Sequence, residues 1–198
     1  MQPTQTAFMP GRKILEGLVV LHETLHEIHS KKLDGVVFKV DFEKAYDKVK
    51  WPFLQQALRM HEFNESWSSQ VDTFIQQGRG GIKVNDDTGH YFQTHKGLRQ
   101  GDSMSPVLFN IVADMLAVVI GRAKESGQVG GIVPHLVEGG VSVLQYADDT
   151  MIFMEHDLAK ARNMKLVLCL FEQLSGLKIN FNKSELFCFG RAKEEQDD

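Results

Sequence analysis

The chain has 198 residues, 42% hydrophobic and 24% charged, which is ordinary for one globular domain, or slightly more, with its own core. Neither a disulfide scaffold nor a membrane protein is expected: the two cysteines, Cys169 and Cys188, lack a short-range partner, and no apolar run reaches about 20 residues. We expect an intracellular, soluble protein, and its net charge of −4 argues against a self-sufficient nucleic-acid binder unless basic residues lie elsewhere.

Apolar periodicity divides the first half of the chain into a helix, a strand and two more helices. Residues 11–32 predict an amphipathic helix, because apolar side chains recur at helical spacing. Residues 35–41 are rich in β-branched and aromatic side chains and predict a buried strand that ends in Asp41. Residues 51–60 and 64–77 predict short helices, the second with Asn64 as its N-cap.

The second half of the chain mixes strands and helices. A hairpin is predicted for residues 81–85 and 91–96, joined by residues 86–89. Pro106 suits the first turn of an apolar helix over residues 107–120.

Two short strands, residues 141–145 and 150–154, flank residues 146–149. Asp157 caps a helix that reaches about residue 174, and residues 177–181 and 185–189 are strand-like. Because the regular βαβ rhythm is absent, we predict an α+β fold with a mostly antiparallel sheet backed by helices.

Three carboxylates stand next to predicted apolar strands. Asp41 ends one strand, and Asp148 and Asp149 form the tip of a hairpin, with no Lys or Arg between Val129 and Lys160. Burying unpaired carboxylates costs several kcal/mol, so such groups normally meet a cation, and Mg²⁺ suits an all-oxygen site. Asp is also common in ordinary turns, so a plain hairpin turn is the alternative.

Five segments, in order along the chain, resemble the reverse transcriptases of plant non-LTR retrotransposons of the long-interspersed-element type. They are residues 5–12 (QTAFMPGR), 38–49 (FKVDFEKAYDKV), 97–102 with 105–109 (GLRQGD and SPVLF), 146–149 (YADD), and 176–180 with 183–184 (GLKIN and KS). Four letters such as YADD are a weak signal alone, whereas five motifs in family order are a specific one.

The resemblance implies the palm of a right-hand polymerase with part of the fingers. Asp41 and Asp148 would bridge two metal ions, Mg²⁺ or Mn²⁺, with Asp149 beside them and the Val40 carbonyl as a further ligand. These three aspartates would be the catalytic residues.

The resemblance also implies residues that bind the nucleotide. Tyr46 matches a steric gate that favours deoxynucleotides, and Gln100 and Gly101 match a loop that lies against the template and the nascent base pair. Lys183 and Arg12 match positions near the triphosphate. From the residues alone, Tyr46 is equally a core aromatic, and the two cations are equally surface charges.

The resemblance further implies a domain organisation. Residues 1–190 would form the palm with partial fingers, without a thumb, and residues 191–198 a charged, disordered tail. Family members are usually longer, with an endonuclease before the polymerase and a thumb after it. Ser103 and Met104 stand where relatives usually have Pro-Leu, a departure that loosens a loop and removes no ligand.

Two other patterns have competing interpretations. Residues 22–26 (HETLH) match the zinc-peptidase pattern HExxH, but Leu21 and Leu25 indicate a helix that buries a neighbouring face. Residues 78–81 (GRGG) lack the Gly-Lys-Ser/Thr ending of a phosphate-binding loop and predict a flexible connection.

The sequence therefore predicts an RNA-directed DNA polymerase that adds deoxynucleotides to a primer 3′-hydroxyl. Its partners would be an RNA template, a DNA primer and deoxynucleoside triphosphates. The alternative is a retrotransposon-derived remnant without polymerase activity of its own.

Overall fold

A four-stranded antiparallel sheet forms the centre of the computed structural model, which describes residues 14–135, 137 and 139–194. Its strand order is β6-β7-β1-β8, so the middle strands come from distant parts of the chain. The bounds are β1 Gly35–Val40, β6 Val143–Tyr146, β7 Asp149–Glu155 and β8 Glu185–Phe189. Short strands form two separate ribbons: β2 Arg79–Gly80 with β5 Phe92–Gln93, and β3 Lys83–Val84 with β4 Asp87–Thr88.

Helices cover both faces of this sheet. They are α1 Ile14–Ser30, α2 Ala45–Lys48, α3 Trp51–Met60, α4 Glu65–Gln76, α5 Ser105–Glu125, α6 Leu158–Ser175 and α7 Arg191–Glu194. The Asn64 side chain accepts a hydrogen bond from the Ser66 N–H, and the Asp157 side chain accepts one from the Lys160 N–H. Both N-caps were predicted, and each satisfies an N–H that the first helical turn leaves unpaired.

The core has two parts, one on each face of the sheet. The larger part joins the sheet to α3, α5 and α6, and Ile152 of β7 belongs to it. The smaller part lies under α1 and contains the neighbouring residue Phe153 together with Val37 and Ile28. Successive residues of a strand point to opposite faces, which is why Ile152 and Phe153 belong to different parts.

The predicted α+β class and antiparallel sheet are confirmed, with changes in detail. The hairpin turn lies at Asn85 and Asp86, both with positive φ, instead of at residues 86–89. Beyond it the two ribbons are separate, because only Lys83–Val84 pairs with Asp87–Thr88. Helix α2 was not predicted, since four residues are too few to show a helical period.

The helix after Pro106 is longer than predicted. Helix α5 continues to Glu125, because Gly121 and the polar residues of its last turn interrupt the apolar pattern without ending the helix. Among the described residues, α5 is the one helix that is long and apolar enough to cross a membrane by length and composition. Its apolar window is 67% buried inside the fold, as in the central helix of a globular core.

The predicted disordered tail is wrong for its first four residues. Arg191 donates from its backbone N–H and from Nε to the Asp34 carboxylate, at 2.9 and 2.7 Å, and Ala192 is buried. These contacts hold the short helix α7 against the start of β1. Residues 195–198 lie outside the described part of the chain.

Candidate active site

The pairing of β1 with β7 brings the predicted carboxylates to one end of the sheet. The last pair in this register is Val40 with Thr150, and the next residues along each strand are Asp41 and Asp149. Asp148 precedes Asp149 in the turn between β6 and β7, where Ala147 has a φ of 52°. The fold thus brings Asp41 to the same end of the sheet as Asp148 and Asp149, which lie more than 100 residues later in the sequence.

The backbone of Asp41 is held on both sides by the loop that follows α6. Its N–H donates to Ser184 Oγ at 3.0 Å, and its carbonyl accepts from the Asn180 N–H at 2.8 Å. A bridge between Phe42 and Ile179 continues this pairing. Sequence reasoning missed the structural part of Ser184, although the residue stands in a recognised motif, because a hydroxyl that binds a distant backbone leaves no spacing signal.

The three carboxylates are more accessible than predicted. Asp41 is half-buried, and Asp148 and Asp149 are exposed. The prediction that these carboxylates are buried, and need a cation for that reason, is therefore wrong for Asp148 and Asp149. In the β6–β7 turn Ala147 is buried, whereas the side chains of Asp148 and Asp149 are exposed. Val40, by contrast, is buried, with 1% of its surface exposed.

The donor chemistry at this end of the sheet fits a hard divalent cation such as Mg²⁺ or Mn²⁺. Within residues 14–135, 137 and 139–194, none of the three carboxylates forms an ion pair, so no basic side chain neutralises them. Across the same residues, no three His, Cys, Asp or Glu side chains stand close enough together to hold a metal ion as they are arranged. Asp41, Asp148 and Asp149 lie close together along the backbone, but their side chains are not arranged around one common metal position.

Tyr46 lies beside these carboxylates and against the core. Its ring stacks on that of Phe109 with centroids 4.6 Å apart and planes 16° apart. Burial raises the pKa of the Tyr46 hydroxyl, and the nearby Asp148 carboxylate raises it further. The Tyr46 ring therefore packs against the core on one side and lies close to the Asp148 carboxylate on the other.

The loop that begins at Gly97 is fixed directly to the backbone around Tyr46. The Leu98 N–H donates to the Tyr46 carbonyl at 2.7 Å, and the Gly97 N–H donates to the Val49 carbonyl at 2.8 Å. Gly97 has a φ of 85°, and a Cβ there would lie 2.7 Å from the Asp47 carbonyl oxygen. Only glycine fits, so the backbone itself brings these two motifs together.

The remaining predicted nucleotide-binding residues are solvent-exposed. Gln100 and Gly101 lie at the loop tip, and Gly101 has a φ of 87° with open space where a Cβ would be. Lys183 is exposed and has no ion pair within the described part of the chain. Arg12 lies outside the described residues, as does the whole segment 5–12. Lys183 forms no ion pair with the three carboxylates.

The zinc-peptidase pattern is not assembled into a site. His22, Glu23 and His26 are exposed on α1, while Thr24 and Ile28 turn towards the core. No third ligand accompanies the histidines among the residues that the structure describes. This arrangement supports surface positions on an amphipathic helix.

A cleft of about 800 Å³ borders the loop that begins at Gly97, and none of the three carboxylates lines it. Its walls are the end of α4, the β2–β5 ribbon and the loop around Gly97. The lining includes Asp47, next to Tyr46, and Gln100. Sequence reasoning missed this cleft because it depends on how the ribbon packs.

Comparison with known proteins gives a consistent result. A family model described as "Reverse transcriptase (RNA-dependent DNA polymerase)" matches residues 1–197. The Pol polyprotein of the type-1 retrotransposable element R2 from Popillia japonica is 27% identical over 161 residues, which are 80% of this chain and 25% of that protein. An uncharacterized mitochondrial protein of Arabidopsis thaliana is 32% identical over 95 residues, 48% of this chain and 77% of that protein.

Solved structures agree on the fold. Apo telomerase from Candida tropicalis, truncated from its C-terminal domain, superimposes with a TM-score of 0.67 at 14% identity, over 93% of this chain and 36% of that one. At such identity the likeness concerns the fold alone. The chain spans between 14% and 25% of the length of the R2 polyproteins that it matches.

Proposed function

The chain belongs to the reverse transcriptase family, and from that premise we propose that it is the RNA-directed DNA polymerase domain of a retrotransposon protein. The observation that carries the proposal is the register of β1 with β7, which sets Asp41 next to Asp149 at the end of the sheet. Tyr46 lies close to the Asp148 carboxylate, and the loop at Gly97 is joined to the Tyr46 backbone by a hydrogen bond. Three motifs that lie far apart in the sequence thus share one location.

The proposed reaction is nucleotidyl transfer. The primer 3′-hydroxyl attacks the α-phosphorus of a deoxynucleoside triphosphate and loses its proton. A new P–O bond forms, the bond to the β-phosphate bridging oxygen breaks, and pyrophosphate leaves.

Asp41, Asp148 and Asp149 would hold the metal ions, with the Val40 carbonyl as a further ligand. Two Mg²⁺ ions, when bound, would lower the pKa of the attacking hydroxyl and stabilise the leaving oxygens. The contribution of the chain itself is positioning, since Ser184 and Asn180 fix the Asp41 backbone from both sides.

The nucleotide would lie between the carboxylates and the loop at Gly97. There the Tyr46 ring, supported from behind by Phe109, would crowd a ribose 2′-hydroxyl and so favour deoxynucleotides. Gln100 and Gly101 would lie against the template and the new base pair. Lys183 and Arg12 would approach the triphosphate, for which cationic donors are suited.

The proposal extends to the longer protein. We propose that residues 1–190 form a palm with part of the fingers and that a thumb and an endonuclease, supplied by a longer polyprotein, complete the grip on an RNA template and a DNA primer. The short share of each R2 polyprotein that the chain covers supports this. A plant origin is proposed on the sequence motifs and on the similarity to the Arabidopsis thaliana protein.

The decisive experiment is primer extension on an RNA template with deoxynucleotides and Mg²⁺. The chain is expected to extend the primer, to stop when a chelator removes the metal, and to resume when Mg²⁺ or Mn²⁺ is added back. Extension that continues in excess chelator would contradict the metal-dependent mechanism.

One observation favours the second candidate, an inactive remnant. The three carboxylates are not preassembled around a common metal position within the described part of the chain. If this candidate holds, Mg²⁺ binds weakly to the chain and no primer is extended, although the fold is intact. Titration with Mn²⁺ beside the extension assay separates the two candidates, because only an active enzyme shows both binding and extension.

A further inference from the structure

The cleft that borders the loop at Gly97 is lined by Phe92, an aromatic residue that is half exposed. Phe92 of β5 pairs with Gly80 of β2, and a Cβ on Gly80 would lie 2.8 Å from the Phe92 ring. The ring therefore lies directly over the glycine backbone, yet the side chain is 50% exposed. One ring face is seated on the protein, and the residue lines the cleft.

Residues 78–81, which were predicted as a flexible connection, thus contain two glycines that leave room for aromatic rings. Gly80 leaves room for the Phe92 ring. Gly81 does the same for Tyr91, since the nearest atom of the Tyr91 ring would lie 3.2 Å from a Cβ on Gly81. Neighbouring residues of a strand alternate between faces, and Tyr91 does not line the cleft. Two partly exposed phenylalanine rings line the cleft, Phe92 and Phe74, and Phe92 is the one that lies on the ribbon.

Cationic side chains surround that ring. Arg79, Lys96 and Arg99 line the cleft, and none of them has an ion pair among the described residues. Arg99 Nη2 donates to the Arg79 carbonyl at 3.3 Å, which fixes its guanidinium at the ribbon. Two acidic residues also line the cleft, Asp47 and Asp102, and the Asp102 carboxylate accepts the Met104 N–H at 2.8 Å.

We propose that this cleft binds a single-stranded segment of the nucleic-acid template, with one base stacked on Phe92 and its phosphates beside Arg79 and Lys96. An exposed aromatic platform flanked by cations is the usual combination for single strands, because every base has a face that stacks. Bases in a duplex are already stacked on each other, so an unpaired stretch fits this ring better. The overall charge of −4 does not oppose this, because the cleft itself is lined by three cations, Arg79, Lys96 and Arg99, against the two carboxylates of Asp47 and Asp102.

The cleft also reaches the proposed nucleotide-binding residues. Its lining reaches Asp47, which follows Tyr46, and Gln100 at the loop tip. A strand lying over Phe92 is therefore continuous with the place where the new base pair would form. This inference rests on the proposed function for the identity of the strand as template, whereas the binding itself does not require catalysis.

The test is binding of a fluorescent oligouridine of about 12 nucleotides, measured by anisotropy in low salt without divalent metal. We expect Phe92→Ala to weaken binding about tenfold and Arg79→Gln to weaken it by a smaller factor and to flatten its salt dependence. Two matched controls lie outside the cleft: Tyr91→Ala on the other face of the ribbon and Lys83→Gln in β3. Circular dichroism melts show which variants are folded, and Phe92→Leu serves if the alanine variant is not.

The outcomes separate this inference from the proposed function. Equal affinity of Phe92→Ala and Tyr91→Ala overturns the inference, whether or not primers are extended. Selective loss in Phe92→Ala supports it even if the wild-type chain extends no primer, a result that would count against the polymerase alone. An oligodeoxyuridine arm shows whether the cleft prefers RNA, and binding of neither oligonucleotide, as expected for a protein ligand, overturns the inference.

Discussion

The rings of Tyr46 and Phe109 are stacked, with their centroids 4.6 Å apart, at the junction of the core and the carboxylates. Phe109 is fully buried, so it supports the position of the Tyr46 ring. We expect Phe109→Leu to cost roughly 1–2 kcal/mol of stability and to lower the selectivity for deoxynucleotides over ribonucleotides. The measurement is the ratio of kcat/KM for the two substrates.

Tyr46→Phe is the control for that prediction. It keeps the ring and its stacking and removes only a hydroxyl whose raised pKa already keeps it protonated at neutral pH. Its selectivity should match the wild type. Unchanged selectivity in Phe109→Leu would show that the stacking does not position the gate.

Ser184 connects the last motif to Asp41 through one hydrogen bond of 3.0 Å. Ser184→Ala leaves the Asp41 N–H without its acceptor and should lower the free energy of unfolding by about 1 kcal/mol. It should also slow primer extension by lowering kcat more than it changes KM, because Asp41, the proposed catalytic carboxylate, loses its backbone support. Ser184→Thr keeps the hydroxyl and should retain both properties; an alanine variant equal to wild type in kcat would contradict the argument.

Gly97 and Gly101 have nearly the same φ, 85° and 87°, in different surroundings. Gly101→Ala meets open space and should cost only the strain of a left-handed backbone, about 1 kcal/mol. Gly97→Ala adds a collision with the Asp47 carbonyl and should cost clearly more. Urea denaturation of both variants gives the difference, and equal losses would show that the loop shifts freely.

His61 Nε2 lies 3.3 Å from the Asp114 carboxylate, which is fully buried in α5. Burial lowers the pKa of His61, and Asp114 opposes that shift only in part. A lowered folded-state pKa means that the unfolded chain takes up the proton first. The contribution of His61 to stability is therefore complete above its ordinary pKa of about 6.5 and is lost as the pH falls through the lowered value.

We expect His61→Gln to remove this dependence. The free energy of unfolding from urea should fall less between about pH 7.5 and about pH 5 in the variant than in the wild type. Parallel curves for the two proteins would show that His61 is not protonated differently in the two states.

Most regular elements were predicted from the sequence, for physical reasons that can be named, whereas the strand predicted over residues 177–181 is reduced to an isolated bridge at Ile179. Asn64 and Asp157 cap helices by bonds to residues two or three positions away, and such local bonds are visible in the sequence. The strand ending in Asp41 was predicted from its β-branched run, and the β1–β7 register was not, because pairing between distant segments has no local signal.

The proximity of the candidate site residues was predicted from the motifs, and their environment was predicted less well. The aspartates, Tyr46 and the loop after Gly97 meet as expected. The carboxylates were predicted to be buried, but Asp148 and Asp149 are exposed at the turn between two apolar strands. The cleft lined by Phe92 was not predicted, because Gly80 and Gly81, which leave room for the aromatic rings, look like part of a loop in the sequence.

The most direct test of the account replaces Asp148 by Asn and follows primer extension on an RNA template. Asp148 is exposed and forms no ion pair within the described residues, so Asp148→Asn should leave the free energy of unfolding within about 0.5 kcal/mol of wild type. Asp87→Asn, an exposed carboxylate in β4, is the matched control and should extend primers normally. The account predicts that extension is abolished in Asp148→Asn alone, and extension at the wild-type rate in that folded variant would contradict it.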